Sequence, residues 1–296
     1  MLAPWKRLEA TDPAAIPEWR ASEQFCQQMA RREAANFYWG FVALPREQRV
    51  AIYALYDFSR QVDDEVDRAG MALVPERLGV HRERVRRCVR GDYADPVMQV
   101  LARAVRRFGI PEAELLALVD GVEMDCYRTR YQSWDELREY CLLVASTVGR
   151  MCVRIFGCTD DAVAFARADD LGLAMQLTNC LRDVREDAQM GRVYLPQEDL
   201  NRYGVTEQSL LNGQPSPGWN RLVAFEAQRA RGLFASGLGV LSYIPRRPAI
   251  CVRTMASIYQ RILARIEETP EAPLRRRVSL SKREKIAVML RSWLSG

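Results

Sequence analysis

The 296 residues are 48% hydrophobic, enough to bury a large core, and 43 basic against 38 acidic side chains leave a net charge of only +5. So small an excess makes no electrostatic case for nucleic acid. There is no apolar run of about eighteen residues to span a bilayer, and the Met-Leu-Ala-Pro-Trp-Lys start lacks a signal-peptide core.

No low-complexity tract, linker or solenoid repeat interrupts the chain. The expectation is one cytoplasmic domain over 1–296, with a loosely ordered segment at 1–20. Turn-forming residues punctuate it at 91–96, 109–111, 157–161, 191–196, 212–218, 245–248 and 269–273. Between these marks apolar residues recur at steps of three and four: Val50, Tyr53, Ala54 and Phe58, then Leu171, Ala174, Met175, Thr178 and Leu181. This is helix periodicity. Val193-Tyr194-Leu195 reads as extended but is too brief to found a sheet. An all-α fold of roughly ten or more helices follows.

In chain order, the first chemistry-bearing segment is Tyr56 to Asp67. On a helix Asp63 and Asp67 share a face, Asp64 lies beside them, and Tyr56, Arg60 and Asp64 form one row at four-residue steps. Next comes His81, the chain's sole histidine, among Arg82, Arg84, Arg86 and Arg87. It reads as a surface residue and the arginine run as a solvated helix face. The second acidic segment places Asn179, Asp183 and Asp187 in a stripe, with Gln176 a turn above and Leu173, Leu177, Leu181 and Val184 as an apolar row beside it. The pairs Asp160-Asp161, Asp169-Asp170 and Glu267-Glu268 read as ordinary solvated acids. The eight cysteines show no C-x-x-C spacing and read as small buried hydrophobes in a reducing compartment.

One histidine excludes a multi-histidine zinc site and the di-iron bundle with its paired Glu-x-x-His motifs. A Ser-His-Asp hydrolase would need His81 as base. There is no P-loop and no G-x-G-x-x-G after a strand. Chemistry therefore rests on carboxylates, arginines and aromatics. Like charges at i, i+4 cost a helix about 0.2–0.5 kcal/mol per pair, more when half-buried. A divalent cation removes the conflict. Magnesium suits oxygen ligands shared between one or two carboxylates and substrate phosphates.

At these residues the sequence resembles the squalene/phytoene synthases. Phe37-Tyr38, Leu44-Pro45, Ala51-Ile52-Tyr53-Ala54-Leu55-Tyr56, Arg60 and Asp63-Asp64-Glu65-Val66-Asp67 are similar to the family's first signature. Gln176-Leu177-Thr178-Asn179, Leu181-Arg182-Asp183-Val184, Glu186-Asp187 and Gly191-Arg192-Val193-Tyr194-Leu195-Pro196 are similar to the second. Tyr140-Cys141 with Val144-Ala145-Ser146-Thr147-Val148-Gly149 resembles the segment between them, and Arg277-Val278, Ser281-Lys282 and Lys285 the C-terminal basic motif.

The resemblance implies an isoprenoid synthase (terpenoid synthase) helical fold around a central cavity. It also implies magnesium-dependent head-to-head (1′-1) condensation of two prenyl diphosphates through a cyclopropylcarbinyl diphosphate. By position, Asp63, Asp64, Asp67, Asp183 and Asp187 match magnesium-binding carboxylates, with Asn179 alongside. Arg60, Arg182, Arg192, Tyr194, Arg277 and Lys285 match groups that grip diphosphate. Gln176 and Asn179 match polar pocket residues, and Phe37, Tyr56, Tyr140, Val144, Ala145 and Gly149 its lining. Ala145 and Gly149 are expected to leave room for the prenyl chain. Ala34-Ala35-Asn36 departs from the serines many relatives carry.

Within the family, the stretch 144–157 and aspartate at position 64 lean toward farnesyl users. The expected reaction is two farnesyl diphosphates to presqualene diphosphate, without NADPH. Phytoene synthesis from geranylgeranyl diphosphate is the alternative, and full squalene or dehydrosqualene synthesis a second. A head-to-tail enzyme would show D-D-x-x-D in both stripes, and a non-catalytic scaffold would have lost carboxylates that this chain keeps. Because the products are lipids, peripheral contact with the inner face of the membrane is expected, open to test by liposome co-sedimentation.

Overall fold

The computed structural model describes residues 16–34, 37–68, 74–93 and 95–294. Positions 1–15, Ala35 and Asn36 lie outside the described residues, so the departure from the family's serines has no structural account. The expected loose segment 1–20 overlaps a helix: α1 (Ile16–Glu33) starts at Ile16.

The elements that follow are helical. They are α2 (Tyr38–Phe41), α3 (Arg46–Arg68), α4 (Val74–Arg90), α5 (Pro96–Phe108), α6 (Glu112–Met124), α7 (Trp134–Cys141) and α8 (Thr147–Phe156). A π-helical turn, Leu142–Ser146, joins the last two. Then come α9 (Asp161–Arg182), α10 (Val184–Gln189), α11 (Gln197–Tyr203), α12 (Glu207–Leu211) and α13 (Trp219–Gly237). A 3₁₀ turn, Leu238–Ser242, leads to α14 (Arg246–Glu268), α15 (Ala272–Arg275) and α16 (Lys282–Leu294). Among the described residues the extended pairing is an isolated parallel bridge between Arg130 and Val193, so Val193 to Leu195 founds no sheet.

Local signals explain the boundaries. Asp95 caps α5, its carboxylate accepting the Val97 and Met98 N–H groups at 3.0 Å each, with Pro96 in the first turn and Gly109 closing the helix. Ser133 caps α7, and Glu136 reaches back to the Gln132 N–H at 2.8 Å. Asp160, expected to be merely solvated, caps α9 through the Val163 N–H at 3.1 Å.

Helix α9 lies at the centre, packed against α8, α13, α14 and the π-helical turn. A hydrophobic row alone would not seat it so closely. Gly172 is needed, because a Cβ there would lie 2.9 Å from the Ser146 backbone. One hydrophobic core runs from Cys26 in α1 to Val288 in α16.

Two sequence expectations are corrected here. His81 is buried, not a surface residue, with Nε2 3.5 Å from Glu65 Oε1 and Nδ1 3.0 Å from Arg84 Nη1. The arginine run is not a free solvated face. Arg82 bonds Asp120 and Glu123 of α6 at 2.7 Å each, and Arg84 bonds Gln61 of α3 at 2.8 Å and Asp95 at 2.9 Å. Arginine's forked donors let one helix stitch several neighbours. All eight cysteines are free thiols, five of them buried.

Candidate active site

The first acidic row stands on α3. Arg60 Nη2 lies 2.7 Å from Asp64 Oδ1, one turn on, and Asp63 is half-buried beside them. Asp67 falls in the last turn of α3, and its side chain lies outside the described residues. Tyr56 packs its ring 6.0 Å from Phe37, and Phe37 lies 5.8 Å from Tyr259 of α14. Burial holds the Tyr56 hydroxyl protonated far above neutral pH, against the pull of Arg60.

The second stripe does not sit on one continuous helix, as its spacing implied. Asp183 leaves helical geometry (φ −103°, ψ 12°) and separates α9 from α10. Hydrogen bonds still cross the break, Asp183 N–H to Asn179 C=O and Asp187 N–H to Asp183 C=O at 2.9 Å each. The four-residue step therefore survives a local kink. Asp183 is gripped from two directions. Buried Arg182 bonds it with Nε at 2.8 Å and also with Nη2, and Arg277 Nε reaches it at 3.0 Å. Burial opposes the Arg182 charge, but the bonds to Asp183 and to the Tyr259 hydroxyl outweigh it.

Lys285 of α16 is buried close to Arg182 and Arg277, and its ammonium is pulled below its usual range, first by burial and then by those two cations. Three cations thus share the surroundings of one carboxylate. Such a cluster fits a multiply charged anion. Asp187, one turn beyond, is pushed up to about 8, first by burial, then by Asp183, with Arg192 opposing. Asn179 donates to Gln176 at 3.0 Å, while its own Oδ1 is buried without a hydrogen-bond partner. Among the described residues no three acidic, histidine or cysteine side chains converge as a ready-made metal site.

A third group is aromatic. Tyr140 and Tyr194 stack with centroids 5.3 Å apart, and Tyr131 lies 5.4 and 6.0 Å from them. Next in sequence, Val144 and Ala145 occupy the π-helical turn, half-buried. Such turns widen a helix by one residue and occur most often at functional sites. Gly149 allows close helix packing, since a Cβ there would lie 3.1 Å from the Ala168 carbonyl oxygen of α9.

The structure links part of the expected set by a path of contacts that does not include the acids of α3. It runs from Tyr56 through Phe37 and Tyr259 to Arg182, Asp183, Arg277 and Lys285. Sequence reasoning gave no role to Tyr259, Tyr131 or Asp125, which neighbour the expected residues, and placed Glu186 only within the second signature. Tyr259 sits in an apolar helix and reads as core. Glu186 lies 3.6 Å from Arg277 and reads as the solvated neighbour of Asp187. Asp125 is a lone acid just past α6, and only its position directly after an apolar helix marks it.

This all-α frame is the isoprenoid synthase fold. A family model described as squalene/phytoene synthase matches residues 30–284, and the chain belongs to that family. Its members are prenyltransferases that join prenyl diphosphates head to head. The chain is 39% identical to a phytoene synthase of Mycobacterium tuberculosis over 92% of its own length and 91% of that protein's. The crystal structure of a dehydrosqualene synthase in complex with ligand superposes with a TM-score of 0.87 at 27% identity, covering 94% of this chain and 98% of the other. That of squalene synthase HpnC from Alicyclobacillus acidocaldarius superposes with a TM-score of 0.79 at 30% identity, covering 85% and 95%.

Proposed function

We propose that this prenyltransferase condenses two geranylgeranyl diphosphates head to head to phytoene, through a cyclopropylcarbinyl diphosphate and without NADPH. The 39% identity to a phytoene synthase across nearly the whole of both chains supports this substrate. It favours geranylgeranyl over the farnesyl preference expected from 144–157 and Asp64. Asp64 belongs to the row proposed to hold head-group magnesium, and 144–157 covers part of the π-helical turn and all of α8, whereas tail length is decided where the tail ends.

The observation that carries the reaction class is the cluster of Arg182, Arg277 and Lys285 about Asp183. These groups grip pyrophosphate as the allylic C–O bond breaks and its electron pair leaves with oxygen. The cation that remains lies against electron-rich faces, which Phe37, Tyr56, Tyr140 and Tyr259 supply. The double bond of the second substrate attacks it, so no protein nucleophile is needed. Arg60 and Arg192 complete the head-group contacts; the Tyr194 hydroxyl, which the resemblance sets among them, donates to Asp125, and its ring stacks on Tyr140 beside the prenyl chain.

Asp63, Asp64, Asp67, Asp183 and Asp187, with Asn179, would hold several magnesium ions. The donor set suits the metal: it is all oxygen, it includes the partnerless buried Asn179 Oδ1, and a cation would relieve the burial and the Asp183 repulsion that push the Asp187 carboxyl up. The sparse preformed convergence of acids fits ions completed by substrate phosphates and water. Bound magnesium would neutralise charge on the departing pyrophosphate.

Presqualene diphosphate formation from farnesyl diphosphate is the second reading, favoured by the 30% identity to squalene synthase HpnC. Incubation with each diphosphate and magnesium, with and without NADPH, followed by mass spectrometry, decides between them. Phytoene from geranylgeranyl diphosphate alone is expected. Turnover of farnesyl diphosphate only would reverse the assignment, and no product from either would remove it.

A further inference from the structure

Asp125 stands at the C-terminal cap of α6, with its backbone still helical (φ −63°, ψ −13°). Its two carboxylate oxygens are divided between two tyrosines from distant parts of the chain. The Tyr140 hydroxyl of α7 donates to Oδ2 at 3.0 Å. The Tyr194 hydroxyl, in the extended stretch after α10, donates to Oδ1 at 2.7 Å. Both tyrosines are almost fully buried, 4% and 9% exposed, so few competing waters can take over these bonds. The two rings stack at 24°, which leaves each hydroxyl little freedom except rotation about its own C–O bond.

We propose that Asp125 is a positioning residue for the condensation, acting through the hydroxyls of Tyr140 and Tyr194. The inference rests on the reading that these two tyrosines line the prenyl pocket. A phenol that donates its proton to a carboxylate has the positive end of its O–H dipole turned toward that carboxylate. Its ring face and oxygen lone pairs are what remain for a developing allylic cation. An unanchored hydroxyl can rotate and present its proton to the cation, which repels it. One carboxylate fixes both rotors at once, because it is acceptor-only with two oxygens. An asparagine in its place has one acceptor oxygen and one donor group, so it satisfies one phenol as found and forces the other to turn its proton away. Pairing Tyr140 with Tyr194 also ties α7 to the turn carrying Arg192, whose N–H donates to the Asp187 carbonyl at 2.8 Å.

The test uses the full chain with geranylgeranyl diphosphate and magnesium. Asp125→Asn is expected to lower kcat by about tenfold or more, in the manner of a lost preorganised electrostatic contact, while KM moves little because ground-state binding lies with the basic cluster. The same substitution in a Tyr140→Phe/Tyr194→Phe background is expected to change kcat by less than about twofold, since the groups it acts through are gone. A residue that serves only the fold costs the same factor in both backgrounds, and that result overturns the proposal. Where Asp125→Asn does not fold, Asp125→Glu takes its place. It keeps the charge but displaces both oxygens, and an unaltered kcat there overturns the proposal equally. Wild-type turnover by Tyr140→Phe/Tyr194→Phe would remove the pocket reading and this proposal together. Impaired tyrosine variants beside a fully active Asp125→Asn would remove this proposal alone.

Discussion

At the scale of single residues, the two acidic rows are held in different ways. Asp64 faces Arg60 on the rim of α3, where the arginine is 43% exposed. Partly exposed pairs of this kind contribute roughly 0–1 kcal/mol. Asp183 instead neutralises Arg182, whose side chain is only 5% exposed. Removing one partner of a buried pair strands the other charge and costs about 3–5 kcal/mol. Both Asp64→Ala and Asp183→Ala are expected to lose turnover by at least about a hundredfold. They should separate in thermal melts, with Asp64→Ala near wild type and Asp183→Ala clearly lower. Near-normal turnover by either variant would sink its assignment to the metal-binding set. Spacing alone treats the two aspartates as equivalent, and the difference arises entirely from what surrounds them.

At the scale of elements, the contact between α9 and the π-helical turn Leu142–Ser146 sets the position of the site. Gly172 brings α9 against the Ser146 backbone, and the Ser146 hydroxyl donates to the Asp169 carbonyl at 2.9 Å. Val144 and Ala145 ride on that same turn. A methyl at position 172 cannot be absorbed by a side-chain rotation, because it meets backbone. Gly172→Ala is therefore expected to destabilise by about 1–3 kcal/mol and to lower turnover, since the turn must shift. Differential scanning calorimetry with steady-state assays checks this, and unchanged values of both would show that the turn has slack. The second acidic stripe is likewise an element-level result. It is legible as a helix by period, but Asp183 breaks the helix where two arginines converge on its carboxylate, and no period reports a partner 94 residues away such as Arg277.

At the scale of the whole molecule, buried carboxyls shape the response to pH. Asp57 of α3 is 3% exposed, and its Oδ2 has no partner. Its carboxyl is pushed up to about 8, chiefly by burial, with the contact to Cys26 opposing and Glu33 adding to the rise. In the unfolded chain it titrates near its ordinary value of about 3.9. Between these limits the folded form keeps a proton that the unfolded form has released. This contribution is complete below about pH 4 and is lost as pH rises toward 8. Asp57→Asn is expected to flatten that decline and to melt higher than wild type at pH 8. Parallel melting curves from pH 5 to 8 would contradict it. Ligand linkage acts on the same scale. A non-hydrolysable geranylgeranyl diphosphate analogue with magnesium should stabilise the fold more than either alone, by about 2.7 kcal/mol at a hundredfold excess over Kd, read as a higher melting temperature. No protection at saturation would argue for a non-catalytic scaffold.

What the sequence determined by itself was local. Helix period, caps such as Asp95 and Ser133, and acids at four-residue steps all depend on neighbours within a turn or two, so they can be read along the chain. The all-α class and the two acidic rows of the candidate site were legible for that reason, and the remaining site residues only through the family resemblance. The family signatures around Asp63 and Asp183 extended that reading to the reaction class. Only the tertiary structure decided that His81 and Arg182 are buried, that Gly149 and Gly172 allow close packing, that Tyr259 packs on Phe37, and that Asp125 accepts from Tyr140 and Tyr194. Each of those facts depends on which distant groups exclude water from a side chain or supply its hydrogen-bond partner. Burial and pairing are properties of the folded whole, and no window of sequence contains them.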